Sequence, residues 1–124
     1  MDTQEDLNKR KIGAEKEELA AGYLEKNGAL ILERNFRCRQ GEIDLIARHD
    51  GYLTFVEVKY RTMAKQGLPE EAVGISKQKK ICRVADYYRC IHGYGDKTPV
   101  RYDVIAIEGD KITWIKNAFP HHYR

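Results

Sequence analysis

GEIDLIARHDGYLTFVEVKYR, residues 41–61, is the stretch that decides the fold. Two alternating segments flank Asp50-Gly51, a dipeptide suited to a type I′ turn because both central positions need positive φ. A two-residue loop sets the register. With His49 and Tyr52 flanking the turn, Asp44 falls opposite Glu57, Glu42 opposite Lys59, and Ile46 opposite Phe55. Period-two alternation puts these six on one face. The other face pairs Ile43 with Val58, Leu45 with Val56 and Ala47 with Thr54, and is expected to be core.

Carboxylates on directly opposed residues, about 5 Å apart at Cβ, destabilise a strand pair. A bound cation, a shared proton or a splayed bulge would each offset that repulsion. The competing explanation is an ordinary charged sheet edge, with Glu42 and Lys59 in a salt bridge and Asp44 and Glu57 in solvent. Two features count against it. Ile46 and Phe55 need a cover on the charged face, and the opposite face is already apolar, so the charges would fall at the rim of a cleft.

Before this hairpin, periodicity predicts a helix from about residue 6 to residue 27, with Ile12, Leu19, Ala20, Tyr23 and Leu24 on one stripe and Gly28 ending it. Glu17 lies at the edge of that stripe; by pattern alone it reads as an exposed partner for nearby lysines. Residues 29–39, ALILERNFRCR, read as a first strand, giving a three-stranded meander. After the hairpin, residues 62–74 lack periodicity and read as a loop. Ser76 suits the N-cap of a second helix reaching about Ile91. Lys77, Lys79 and Lys80 in its first turn oppose the helix dipole, an arrangement that a bound phosphate would relieve. A last hairpin turns at Gly109-Asp110, pairing Ile107 with Ile112, Ile105 with Trp114, and Asp103 with Lys116. Residues 1–5 and 117–124 are expected to be frayed tails of a single domain spanning 1–124.

The chain has 124 residues, 42% hydrophobic and 33% charged, a globular composition sized for one core. No stretch reaches the roughly 18 apolar residues of a membrane span, and the N-terminus lacks the apolar core of a signal peptide; a cytoplasmic protein is expected. Three cysteines without C-x-x-C spacing argue against a disulfide framework and a zinc knuckle. The net charge of +3 and pI near 8.7 make no case for nucleic acid on their own. Basic residues do cluster, Arg34, Arg37 and Arg39 before the hairpin and Lys77, Lys79, Lys80 and Arg83 after it; each cluster also reads as a solvated face.

An Asp followed on the next strand by Glu-x-Lys resembles the PD-(D/E)xK nucleases, here through Asp44, Glu57, Val58 and Lys59. The wider context, Asn35 and Arg37, then GEIDLIA at 41–47 and FVEVKYR at 55–61, resembles the YraN-like family of small bacterial proteins, themselves thought similar to Holliday junction resolvases and restriction endonucleases. Ile43 stands before Asp44 where the motif often has Pro. The resemblance implies a restriction-endonuclease-like α/β fold, a central mixed five-stranded sheet flanked by two helices in the order α-β-β-β-α-β-β. It also implies a metal-dependent endonuclease acting on nucleic acid, on branched or damaged DNA by similarity to the resolvases, and a homodimer.

Mg2+ ordinarily takes one or two protein carboxylates and keeps several waters, so Asp44 and Glu57 suffice as ligands for Mg2+ or Mn2+. Lys59 would hold the attacking water or neutralise the phosphate, and Glu42 would orient Lys59 or help hold a second ion. The resemblance adds the Val58 carbonyl and Glu17 as ligands, although Lys16 stands where the family has Gly before that Glu. Arg37, Arg39, Arg61, Lys77, Lys79 and Lys80 are the expected nucleic-acid contacts. The alternatives are a non-catalytic nucleic-acid-binding module with vestigial carboxylates and a protein-interaction domain.

Overall fold

A computed structural model describes residues 3–61 and 73–123. Helix α1 (Gln4–Lys26) is followed by strands β1 (Leu30–Cys38), β2 (Gly41–His49) and β3 (Tyr52–Arg61), helix α2 (Ile75–Ile91), and strands β4 (Val100–Glu108) and β5 (Lys111–Phe119). They form one five-stranded sheet in the order β1-β2-β3-β4-β5. Only the β3–β4 pair is parallel, so the sheet is mixed, and α2 lies in the connection that a parallel pair requires. The expected α/β architecture and element order are those observed.

The first turn is the one its residues dictate: Asp50 and Gly51 have φ of 51° and 84°, and His49 pairs with Tyr52. Each sheet face is covered by a helix. Ile46, Leu53, Phe55 and Val104 pack under Ile81, Val84, Ala85 and Tyr88 of α2. Leu45, Ala47, Val56, Ile105 and Ile107 pack under Ala20, Ala21 and Leu24 of α1. Burial of both faces explains why β4 is buried along nearly its whole length.

The expected stripe of α1 is corrected at its N-terminal end. Ile12 and Leu19 are 42% and 50% exposed, and Ala21 is buried instead, because the apolar packing of the helix on the sheet is confined to its last two turns. The helix also starts earlier than expected, at Gln4, with Thr3 as its N-cap in a capping box with Asp6, so residues 3–5 are not frayed; residues 1 and 2 lie outside the described residues. Helix α2 is capped by Gly74 rather than Ser76 and makes no side-chain cap bond. The segment read as a loop, 62–74, lies outside the described residues except for Val73 and Gly74, and Val73 is buried.

The C-terminal segment is not a frayed tail. Strand β5 runs through Phe119, which is buried, the Tyr102 hydroxyl meets His121 Nδ1 at 2.6 Å, and His122 Nε2 meets Gln78 Oε1 at 2.8 Å. The expected Asp103–Lys116 pair is also replaced. Between Tyr102 and Val104 the β4–β5 register shifts, with Asn117 in the left-handed region at φ 54°. The bulge turns Asp103 inward. There it is fully buried and accepts hydrogen bonds from the Arg101 guanidinium, Trp114 Nε1 and the Asn117 N–H. Lys116 lies instead over the Trp114 ring, 4.6 Å from its centroid. Among the described residues no helix is long and apolar enough to cross a membrane.

Candidate functional site

The β2–β3 ladder follows the register set by its turn as far as Leu45–Val56 and then stops. From there β2 continues along β1 to Gly41, while β3 continues along β4 to Arg61. The sheet therefore forks at Asp44. The cause lies partly in β1, where Asn35 adopts φ 50° at the point where the β1–β2 ladder also skips a pair. Asparagine tolerates that region better than other non-glycine residues. The faces reverse across the kink: Leu45 packs under α1, yet Ile43 packs with Phe36 against α2. The expected placement of Ile43 beside Val58 on the α1 face is thus overturned, because strict alternation holds only for a regular strand.

Within the fork, Asp44 Oδ2 accepts a hydrogen bond from the Val58 N–H at 2.8 Å. A side chain takes the place of the missing ladder carbonyl. That leaves the Asp44 carboxyl close against Glu57, whose residue is only 5% exposed on the central strand. Burial, then the negative charge of Glu57, then a hydrogen bond shared with Glu57 raise the Asp44 pKa to about 8, against the lowering effect of the Val58 N–H. Of the expected remedies for facing carboxylates, the splay is present, and the raised pKa of Asp44 favours its protonated form beside Glu57.

Two lysines converge on the same oxygen of Glu57. Lys59 Nζ stands 3.9 Å from Glu57 Oε2, and Lys77 Nζ, from the first turn of α2, stands 2.5 Å from it. Partial burial pushes the Lys77 amine down; the hydrogen bond and charge of Glu57, with Asp44 and Glu42 behind, outweigh it, and the net shift is upward. Lys77, expected as a phosphate contact, is thus a partner of Glu57. The visible signal was its adverse position at the helix N-terminus, which Glu57 offsets. A cleft of about 500 Å3 opens beside it, lined by Gly41, Glu42, Gly74, Ser76, Lys77, Lys80 and Ile81.

The remaining expected residues are dispersed around this centre. Glu42 ion-pairs with Arg37 at 3.1 Å rather than facing Lys59, since the ladder that would oppose them has ended. Glu17 is half-buried on α1. Burial raises its pKa, the Asn35 side-chain hydrogen bond lowers it, and Glu42 and Glu57 raise it further. Glu17 is thus bonded to Asn35 and within electrostatic reach of Asp44 and Glu57. Val58 contributes its N–H to Asp44. Arg61 lies near Glu108, 3.5 Å away, and Arg39 lines a separate hollow with Phe36 and Tyr87. Lys80 shares the cleft with Lys77, whereas Lys79 does not line it.

Among the described residues no three His, Cys, Asp or Glu side chains converge as a metal-binding group. The four-ligand set expected from resemblance is therefore not assembled. The pair itself fits a hard divalent ion: two carboxylates close enough to share a proton offer oxygen donors that a small cation can bridge, and one or two such ligands are what Mg2+ ordinarily takes from protein.

Residues 16–107 match the model of a family described as "Uncharacterised protein family UPF0102". A UPF0102 protein of Lachnoclostridium phytofermentans is 50% identical over 113 residues, covering 91% of this chain and 96% of the relative. One of Caldicellulosiruptor bescii is 45% identical over 119 residues, 91% and 100% of the two chains, and one of Legionella pneumophila 44% identical over 105 residues, 83% and 89%. The matched span contains β1 to β3, α2 and most of β4, and so the whole of the fork and its two lysines. With that coverage and identity, the chain belongs to the UPF0102 family.

Proposed function

We propose that the protein is a divalent-metal-dependent endonuclease that hydrolyses phosphodiester bonds in nucleic acid. The observation that carries this reading is the half-buried Asp44 carboxyl held against Glu57 in a forked sheet, with the Lys59 and Lys77 amines alongside. A fork of this kind is costly to maintain as bare structure. It loses ladder hydrogen bonds and opposes like charges, the compromise found where a site is being built.

Asp44 and Glu57 are the residues that would hold Mg2+ or Mn2+, which supplies an activated water and charge relief at the phosphate. Asp44 is fixed for this role by the Val58 N–H, which orients one of its oxygens. The Lys59 side chain is one-third exposed, so its ammonium is tied toward Glu57 and still open to solvent. A phosphate oxygen or the attacking water would meet it there. Branched or damaged DNA is the substrate class favoured by the resolvase resemblance, and a homodimer the assembly.

The rival reading is a phosphate-binding module without catalysis. Arg37 and Arg34 are engaged by Glu42 and Glu18, which leaves that basic cluster less available to phosphates than its sequence suggests. Incubating the full chain with junction, flap, single-stranded and duplex DNA in Mg2+ or Mn2+ separates the two. The expected result is cleavage of at least one substrate, lowered about 100-fold or more by Asp44→Asn and by Lys59→Ala. Cleavage by Asp44→Asn at the parent rate would eliminate the proposed site.

A further inference from the structure

We propose that Lys77 is the tethered counter-ion of Glu57 that a divalent cation must displace, so that this lysine sets the cation threshold and selectivity of the site. The inference rests on the reading of Asp44 and Glu57 as cation ligands and adds what α2 contributes to them.

Three observations lead to it. Lys77 Nζ is much closer to Glu57 Oε2 than Lys59 is, 2.5 Å against 3.9 Å, so the two lysines are not equivalent. The carboxylate that Lys77 occupies belongs to a 5%-exposed residue and lies against Asp44, so a cation held by the two acids would compete with the ammonium for Glu57. The Lys77 side chain is itself 49% exposed and borders the cleft shared with Glu42 and Lys80, so the ammonium has solvent-accessible space into which it can withdraw.

The energetics favour exchange for one class of ion. A side-chain ammonium held by its own chain acts at a high effective concentration, against which a free monovalent cation gains no charge. A divalent ion brings a second charge to two acids, and each acid gains from it in proportion to that charge. The ammonium is therefore a filter that admits Mg2+ or Mn2+ and rejects Na+ or K+. On release it adds positive charge to the cleft next to Lys80, where a phosphate would lie if the site acts on nucleic acid.

The test is an Mn2+ titration of the full chain by calorimetry at constant ionic strength, without nucleic acid. Lys77→Met should bind Mn2+ about fivefold or more tightly than the parent. Lys77→Arg, which keeps the charge, should stay near the parent, and Lys80→Met, which removes the same charge from the same cleft without touching Glu57, should change affinity far less. In the parent, the side-chain ammonium resonance of Lys77 should shift when Mg2+ is added, a readout that needs no variant to fold. Parent binding with Lys77→Met no tighter, or a Lys77 resonance indifferent to saturating Mg2+, overturns the inference alone. No Mn2+ binding by the parent or by Lys77→Met overturns the ligand assignment as well.

Discussion

Both hairpins of this chain carry an aspartate where a ladder is interrupted, Asp44 where β2 and β3 part and Asp103 at a shift of register, and they treat it in opposite ways. Asp103 is fully buried but receives the Arg101 guanidinium, the Trp114 N–H and the Asn117 N–H, with His49 Nδ1 2.9 Å from the same guanidinium. Asp44 is less deeply buried, has the Val58 N–H as its backbone donor, and faces Glu57. The difference in depth is not what sets them apart chemically, since the more deeply buried of the two is the better satisfied. What distinguishes them is whether the surrounding structure supplies donors, as at Asp103, or a second acid, as at Asp44. The first arrangement is complete within the protein, and the second calls for a cation from outside.

The largest consequence concerns stability. Asp103→Ala leaves a buried guanidinium without its partner and should cost about 3–5 kcal/mol in urea denaturation. Asp44→Asn removes a repulsion and should cost no more than about 1 kcal/mol, or stabilise. A variant pair with the reverse ranking would dissolve the contrast. Next in size is the pH dependence. The folded pKa of Asp44 lies above the ordinary carboxylate value, so between about pH 4 and about pH 8 the folded state binds the extra proton and stability falls as pH rises. In a chelator, the parent should lose on the order of 2 kcal/mol across that window, a shift being worth about 1.4 kcal/mol per unit in full and less for a half-buried group screened by solvent. Asp44→Asn should flatten the curve, and Mg2+ should restore stability at the alkaline end.

An effect of similar size is expected from Trp114→Phe, which keeps an aromatic ring and deletes one donor to Asp103: about 1.5–3 kcal/mol, read as a lowered denaturation midpoint. The smallest is Arg37→Ala. Its ion pair with Glu42 is largely exposed on both sides and should contribute under about 1 kcal/mol. If Arg37 contacts a phosphate, the same variant should lower the salt slope of DNA binding by about one, with the fold unaffected.

The register of the first hairpin was legible from Asp50-Gly51, because so short a turn permits few alternatives and both residues adopt the positive φ it needs. The meeting of Asp44 with Glu57 followed from that register. The fork did not, since alternation carries no information about where a ladder ends. Asn35 was the available hint, a residue disfavoured in strands and tolerant of left-handed backbone. Lys77 was out of reach for another reason: twenty positions separate it from Glu57, and only the seating of α2 on the sheet joins them. The C-terminal histidines were read as a tail because their partners, Tyr102 and Gln78, lie on other elements.

By itself, then, the order of residues determined the element types, the turn, the near register of both hairpins and the juxtaposition of the two acids, all of which rest on contacts between near neighbours in the chain. Tertiary structure alone decided that β2 and β3 part at Asp44, that Asp103 turns inward to Arg101 and Trp114, and that a helix lysine reaches Glu57. Each of these depends on packing between distant segments, where burial raises the cost of an unpaired charge and so selects which partner it must find.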